Sequence, residues 1–189
     1  MSNIHRDKPA RAANIAKKTN YRDYKSALRS DFNSRCGYCD DDDLFLGGKR
    51  GYHIDHFAPQ SKFGELETEY SNLIYSCPFC NISKSNDWPS NDASENIVGN
   101  EGYIDPCDAE YDNHLYRNES GKIIPSTELG NYIHTKLKLN LMRHEMIWKY
   151  GQIRELIEKL EEVADNDETL LKLHQEMSQL QNLIIEEES

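Results

Sequence analysis

Apolar residues recur along this chain at two different periods. Steps of three and four residues, which are typical of one face of a helix, occupy both ends of the chain. They predict a helix over 20–32 with Asn20 as its N-cap, a second over 131–163, and a third over 170–184 after a polar break at 165–167. Two amphipathic helices with a polar break between them indicate a helical hairpin at the C-terminus.

Between these helices the apolar runs are short and are separated by Gly, Pro, Asn and Asp, which favours small strands and turns. Together with the helices they predict an α+β fold. The short elements expected are strands at 44–46, 51–57, 73–75 and 103–107, a helix starting at 81–84, and a hairpin at 113–124.

Charge is unevenly distributed along the chain, whose net charge is −11. Residues 1–35 hold nine Lys and Arg against three Asp, whereas residues 151–189 hold three Lys and Arg against eleven Asp and Glu. The basic segment 1–19 is interpreted either as a phosphate-binding arm or as a frayed, solvated end. We expect three regions: this basic arm, a domain at 20–150, and an acidic helical hairpin at 151–189 that either packs on its own domain or serves docking or dimerisation.

No apolar run approaches the ~20 residues that are needed to cross a bilayer. The N-terminus, Met1-Ser2-Asn3-Ile4-His5-Arg6, lacks the apolar stretch of a secretory signal. These features predict a cytoplasmic protein without a membrane partner.

Four of the five cysteines form two Cys-x-x-Cys pairs, Cys36 with Cys39 and Cys77 with Cys80. In a reducing compartment this spacing indicates a tetrahedral zinc site before it indicates disulfides. Four thiolates close the coordination sphere, so the zinc is expected to be structural. The fifth, Cys107, is expected to be a small buried apolar residue.

Asp55 and His56 are neighbours in a predicted strand and should point to opposite faces. An aspartate that points into the core requires a cation, and a carboxylate oxygen suits Mg²⁺ or Mn²⁺. The adjacent imidazole can take a proton from water near pH 7. A metal ion with a base is the minimum for phosphodiester hydrolysis. The acidic run 40–43 is interpreted as a solvated turn in preference to a second metal site.

These residues resemble one family in their order and spacing. The resemblance is to HNH endonucleases with a zinc-bound ββα-metal core, here flanked by an N-terminal helix and a C-terminal helical extension. The matching residues are Cys36-x-x-Cys39, Asp55-His56, Pro59, Asn72-Leu73, Cys77-x-x-Cys80-Asn81 and Lys84.

The resemblance implies a role for each of these residues. His56 would be the general base, Asp55 and Asn81 would hold one catalytic Mg²⁺ or Mn²⁺, and Asn72 would orient the His56 segment by hydrogen bonds across a loop. His53 would be a partner of the metal ligands, an extra ligand, a phosphate contact or simply a packed ring. The candidate substrate contacts are Lys84, His53 and Lys62.

Flanking runs such as 53–59 and 104–107 are similar to small HNH proteins of Septu-type and retron-type anti-phage systems. Those proteins carry Arg-Pro-Lys where this chain has Ala58-Pro59-Gln60, so two basic groups are missing here and Lys62 is the candidate replacement. The resemblance implies a DNA endonuclease that acts in bacterial defence with an ATPase partner. The alternatives are a non-catalytic zinc-binding interaction module, or an RNA- or tRNA-cleaving nuclease with the same centre.

Overall fold

The computed structural model describes residues 2–161 and 167–187. It confirms a mixed fold of helices and small antiparallel sheets. The helices are α1 (Lys25–Asp31), α2 (Pro78–Lys84), α3 (Tyr111–His114), α4 (Glu128–Lys136), α5 (Met142–Glu161) and α6 (Asp167–Glu187). The strands are β1 (His53–His56), β2 (Leu73–Ser76), β3 (Ile97–Val98), β4 (Glu101–Gly102), β5 (Leu115–Arg117) and β6 (Ile123–Pro125).

Strands β1 and β2 pair antiparallel and lead directly into α2, which forms the predicted ββα unit. The register places Asp55 opposite Ile74 and His56 opposite Leu73. All four residues of β2 are buried, so this strand anchors the unit in the core. The Cys77 Sγ accepts from the backbone N–H of Cys80 at the start of α2, and a proline occupies the first helical position, where no N–H is needed.

The predicted helix over 20–32 is confirmed, although its first turn is tighter than an α-helix. The side chain of Asn20 accepts the backbone N–H of Arg22 at 3.0 Å and caps a 3-10 turn over Tyr21–Tyr24, which continues into α1. Its apolar face, including Leu28, packs into the main core.

Two predicted strands are wrong. Residues 44–46 belong to a 3-10 turn, Asp43–Leu46, because the Asp42 side chain accepts the backbone N–H of Leu44 and so caps the turn. Residues 103–107 follow β4 without strand pairing, and the Asp105 side chain turns the chain by accepting the Cys107 N–H. The hairpin at 113–124 is confirmed by the pairing of β5 with β6.

The helix predicted over 131–163 is wrong in its continuity, because α4 ends at Lys136 and α5 begins at Met142. Lys138 between them has a φ of 53°, which no helix tolerates. The third predicted helix is confirmed as α6. The polar break at 165–166 and Val163 lie outside the described residues, and the expected boundary at 150/151 falls inside α5.

Helices α5 and α6 pack against each other around a second, smaller apolar cluster. Ile184, near the end of α6, meets Met146 and Ile147, near the start of α5, so the two helices run antiparallel. Phe45 from the main body packs edge-on against Tyr150 at 4.9 Å between ring centroids. The hairpin is therefore attached to the body through the first turns of α5. Among the described helices, none combines the length and the apolar character that spanning a membrane requires.

The basic N-terminal segment packs along the body through its first residues. Ser2 exchanges two backbone hydrogen bonds with Arg117, and Ile4 and His5 are buried. Arg6 forms an ion pair with Glu155 of α5. Residues 2–19 thus join the main body to the C-terminal hairpin.

Candidate active site and metal centre

The four paired cysteines come together in the core. Their thiol sulfurs all lie within 4.8 Å of one another, and the Sγ atoms of Cys39 and Cys77 are 3.8 Å apart. All four are free thiols and fully buried. A closed set of four sulfur donors fits Zn²⁺ better than Mg²⁺ or Ca²⁺. The sequence prediction of a four-cysteine cluster is confirmed.

The first Cys-x-x-Cys segment, Cys36–Cys39 (the first knuckle), is held against the ββα unit by close packing of Gly37. The backbone N–H of Gly37 donates to the carbonyl of Tyr75 in β2 at 2.8 Å. A Cβ at this position would lie 2.7 Å from the Phe32 ring and 2.8 Å from an Ile74 methyl, so a side chain has no room. The knuckle and β2 therefore hold a fixed separation.

Asp55 and His56 are both buried, and the cation beside Asp55 is a lysine. Lys84 Nζ lies 3.2 Å from Asp55 Oδ2, and the Tyr38 hydroxyl donates to the same oxygen at 2.5 Å. Burial raises the pKa of Asp55, while Lys84 and Tyr38 oppose that rise. Among the described residues, no hydrogen bond or ion pair uses Oδ1, so this oxygen is available to a metal ion.

The prediction that Lys84 contacts substrate phosphate is wrong. Its side chain is 0% exposed, and Nζ also donates to the carbonyl of His56 at 2.9 Å. Lys62 is exposed but donates to the Trp88 carbonyl at 3.1 Å. Neither lysine lines the cavities at this centre.

His56 is held by one ring nitrogen. Its Nε2 lies 3.0 Å from the carbonyl oxygen of Glu67, and the edge of the Tyr21 ring packs on its imidazole at 4.8 Å between centroids. A carbonyl only accepts hydrogen bonds, so Nε2 carries the proton and Nδ1 keeps the lone pair. This tautomer presents a base at Nδ1.

Asn72 clamps the chain just after β1. Its side-chain oxygen accepts the Ala58 N–H at 2.8 Å, and its amide nitrogen donates to the Ala58 carbonyl at 3.0 Å. Two hydrogen bonds from one buried amide fix the exit of β1, which carries His56.

Asn81 of α2 and His53 of β1 form a direct contact. Asn81 Nδ2 donates to His53 Nδ1 at 2.9 Å. Burial and the nearby Lys25 lower the pKa of His53, which favours the neutral ring. An amide that donates through nitrogen keeps its oxygen as an acceptor or metal ligand.

Two adjoining cavities lie over these residues. One, of about 240 Å³, is lined by Asp55, His56 and Asn81. The second, of about 340 Å³, shares Ile54 and Asn81 with the first. Three basic residues that sequence reasoning missed line the second cavity, although the excess of positive charge in residues 1–35 was a signal for two of them: Arg22, Lys25 and Arg50.

The acidic run 40–43 is not a solvated turn, because three of its carboxylates are buried and paired. Asp41 Oδ2 lies 2.8 Å from Nδ1 of the buried His144, and Asp43 accepts two bonds from Arg29. The ligand atoms of Cys39, Asp41 and His144 lie within 4.8 Å of one another, so this network borders the zinc knuckle. No local sequence signal marks His144, which is 103 positions from its partner.

A known family model matches this region of the chain. Residues 36–87 match the family model of the HNH endonucleases, from the first cysteine ligand to just beyond α2. No curated protein matches the chain. The match places an HNH domain at the ββα unit and its cysteine cluster, and that class implies nuclease activity.

Proposed function

We propose that the chain is a metal-dependent endonuclease that hydrolyses phosphodiester bonds in DNA. The observation that carries this proposal is the anchored tautomer of His56, whose Nδ1 lone pair belongs to a side chain lining the same cavity as Asp55 and Asn81. In this scheme His56 takes the proton of the attacking water. Asn72 positions His56 by holding the backbone that follows it.

Asp55 Oδ1 and the side-chain oxygen of Asn81 would hold one Mg²⁺ or Mn²⁺. Both are hard oxygen donors beside one cavity, which is the chemistry that these ions prefer. When bound, the ion stabilises negative charge on the scissile phosphate and the leaving oxygen. The four cysteines would hold a separate, structural Zn²⁺ that sets the start of α2 and therefore the position of Asn81.

The test is plasmid nicking in the presence of Mg²⁺. His56→Ala should lower the rate by about 10²- to 10⁴-fold, because a general base contributes that much. His174→Ala, the same change on exposed helix α6, is the matched control and should cut like the parent. Normal cutting by His56→Ala would remove His56 from the base role.

Two further arms separate the alternatives. Asn81→Ala should raise the Mg²⁺ concentration needed for the half-maximal rate; an unchanged titration would contradict its role as a ligand. A labelled RNA hairpin tests the substrate, since cutting of RNA alone would contradict a DNA nuclease. A parent protein that cuts neither substrate would instead support a zinc-binding interaction module.

We also propose that the chain works as a defence effector with an ATPase partner, on the resemblance of its flanking runs to proteins of that kind. The hairpin offers a surface for this contact, since Leu156 and Leu171 are 45% and 59% exposed. Leu171→Asp should abolish co-purification with an ATPase encoded beside this chain. Leu44→Asp, on an equally exposed leucine of the body, is the control. Retained binding by Leu171→Asp would contradict docking there, and native mass would reveal a second copy instead.

A further inference from the structure

We propose that Arg22, Lys25, Lys49 and Arg50, the cation cluster, bind backbone phosphates of the nucleic acid beside the scissile bond. This inference rests on the proposed function and names the surface that holds its substrate. The cluster would grip the strand without reading its sequence, since phosphate contacts carry no base information.

The cluster is assembled from two segments that meet next to β1. Arg22 and Lys25 lie at the start of the N-terminal helix, and Lys49 and Arg50 lie in the 3-10 turn Gly48–Arg50. Lys49 Nζ donates to the Ser26 hydroxyl at 3.0 Å, which ties the turn to α1. The fold thus brings together four cations from two separate segments of the sequence.

The position of the cluster follows the catalytic cavity. Three of its members line the cavity of about 340 Å³, which shares Ile54 and Asn81 with the cavity over His56. The two cavities therefore adjoin each other at these two residues. A strand with its scissile phosphate in the cavity over His56 would pass the cations of the neighbouring cavity.

The charges of the cluster are uncompensated. In the part of the chain that the structure describes, none of its four members forms an ion pair with a carboxylate. Their neighbours Arg29 and Arg35, by contrast, pair with acidic residues of the run 40–43. In a chain of net charge −11, four unpaired cations at one place mark a site for an external anion.

The electrostatics within the cluster favour the same ligand. Burial and the nearby ammonium group of Lys49 both lower the pKa of Lys25. A phosphate at this position would relieve that repulsion. Arg22, Lys49 and Arg50 are exposed, so their charged ends are accessible to a polyanion.

An aromatic ring links the cluster to the proposed base. The Arg22 guanidinium lies 4.9 Å from the Tyr21 ring centroid, and the same ring packs edge-on against His56. Tyr21 therefore fixes the first cation of the cluster relative to the base. Phosphates bound by the cluster would be those adjacent to the one attacked.

Binding can be measured apart from cutting in a His56→Ala background. The probe is a fluorescein-labelled DNA duplex of about 20 base pairs, titrated by fluorescence polarisation between about 50 and 200 mM salt. The triple variant Arg22→Ala/Lys25→Ala/Arg50→Ala should reduce the slope of log K against log salt by about 2.7, since each phosphate contact contributes about 0.9. Extrapolated to about 0.1 M salt, this is on the order of a 10²- to 10³-fold loss of affinity.

A matched triple, Lys122→Ala/Lys138→Ala/Lys172→Ala, removes the same charge from exposed positions elsewhere. It should leave the slope unchanged. Equal effects of the two triples would mean that only net charge matters and would overturn the inference. The inference would also be overturned if the cluster triple melts like the parent, which shows that it folds, and binds the DNA duplex with the same salt dependence as the parent.

Failure of the inference and failure of the proposed function give different results. If the parent chain with His56 intact cuts nothing but the cluster triple still lowers the slope, the nuclease proposal fails and the phosphate site stands. If the chain with His56 intact cuts DNA, and the cluster triple introduced into it raises KM with kcat unchanged, both the nuclease proposal and the phosphate site stand. Unchanged KM with normal cutting would refute the cation cluster alone.

Discussion

Replacement of Lys84 by methionine is the sharpest single test of how the centre is held together. Lys84 is fully buried and faces Asp55 at 3.2 Å and the His56 carbonyl at 2.9 Å. Methionine has a similar length and fills the space, but it removes the charge and the donors. Asp55 would then be a buried carboxylate with only the Tyr38 hydroxyl as a partner.

The expected cost is about 3–5 kcal/mol of unfolding free energy, the usual effect of removing one partner from a buried ion pair. For a chain of this size each kcal/mol lowers the melting temperature by about 2–4 °C. The variant should therefore melt roughly 6–20 °C below the parent. Because a typical domain is stable by only about 5–15 kcal/mol, this loss is a large fraction of the total.

Thermal unfolding followed by circular dichroism in the presence of zinc measures this effect. Lys62→Met is the matched control, since Lys62 is exposed and donates only to a backbone carbonyl; it should change stability by about 0.5 kcal/mol or less. Adding Asp55→Asn to Lys84→Met should recover part of the loss, because a neutral amide needs no cation. If Lys84→Met has the same melting temperature as the Lys62→Met control, the assignment of Lys84 as the cation of Asp55 is refuted.

Three other perturbations have defined outcomes. Cys77→Ser should unfold the core and lose zinc by atomic absorption, since zinc-site energy is folding energy; a normal melt would mean the metal is not structural. Burial lowers the pKa of His5 from 6.5 to about 4, so the unfolded chain binds its proton first and roughly 3 kcal/mol of stability is lost as pH falls between these values. His5→Gln should flatten this part of the stability–pH curve, and an unchanged slope would contradict the assignment. Gly121→Ala should destabilise by about 2–4 kcal/mol in chemical denaturation, because φ is +90° and the new Cβ would lie 2.4 Å from Trp148. Gly47→Ala, with φ +76° and open space around it, should cost only about 1 kcal/mol, and equal costs would exclude the clash as the cause.

The parts of the fold that short-range chemistry determines were predictable. Two Cys-x-x-Cys pairs have the spacing of a single zinc site, so the cysteine cluster followed from spacing, whereas the ββα unit around it was implied by the resemblance to HNH endonucleases. The cap at Asn20 was predictable for the same reason, because its partner lies two residues away. These features depend on neighbours that the sequence shows directly.

The missed features depend on partners that only the folded chain brings together. Lys84 matched a motif position, but nothing local shows that its amine turns inward to Asp55. The pairing of Asp41 with His144 spans 103 positions, and the acidic run therefore looked solvated. The break between α4 and α5 was missed because the apolar period continues through Lys138, whose backbone leaves the helix.

The backbone of the first cysteine pair, Cys36–Cys39, has a consequence for synthesis of the chain. Its carbonyls at Gly37, Tyr38 and Cys39 accept hydrogen bonds from His5, Tyr111 and Arg117, which lie 32, 73 and 78 positions away. Two of these donors leave the ribosome after the knuckle does. At ~5–20 residues per second the delay is roughly 4–16 s.

During that interval the thiols of Cys36 and Cys39 precede their ligand partners Cys77 and Cys80 into the cell. They would be open to oxidation and to metal exchange until the second knuckle arrives. Stalled nascent chains ending near residue 75, which lack Cys77 and Cys80, should therefore react with a maleimide probe, whereas chains that extend well past Arg117 should be protected when zinc is present. Equal labelling of both lengths would contradict this order, because the longer chain already carries all four cysteines and the downstream donors.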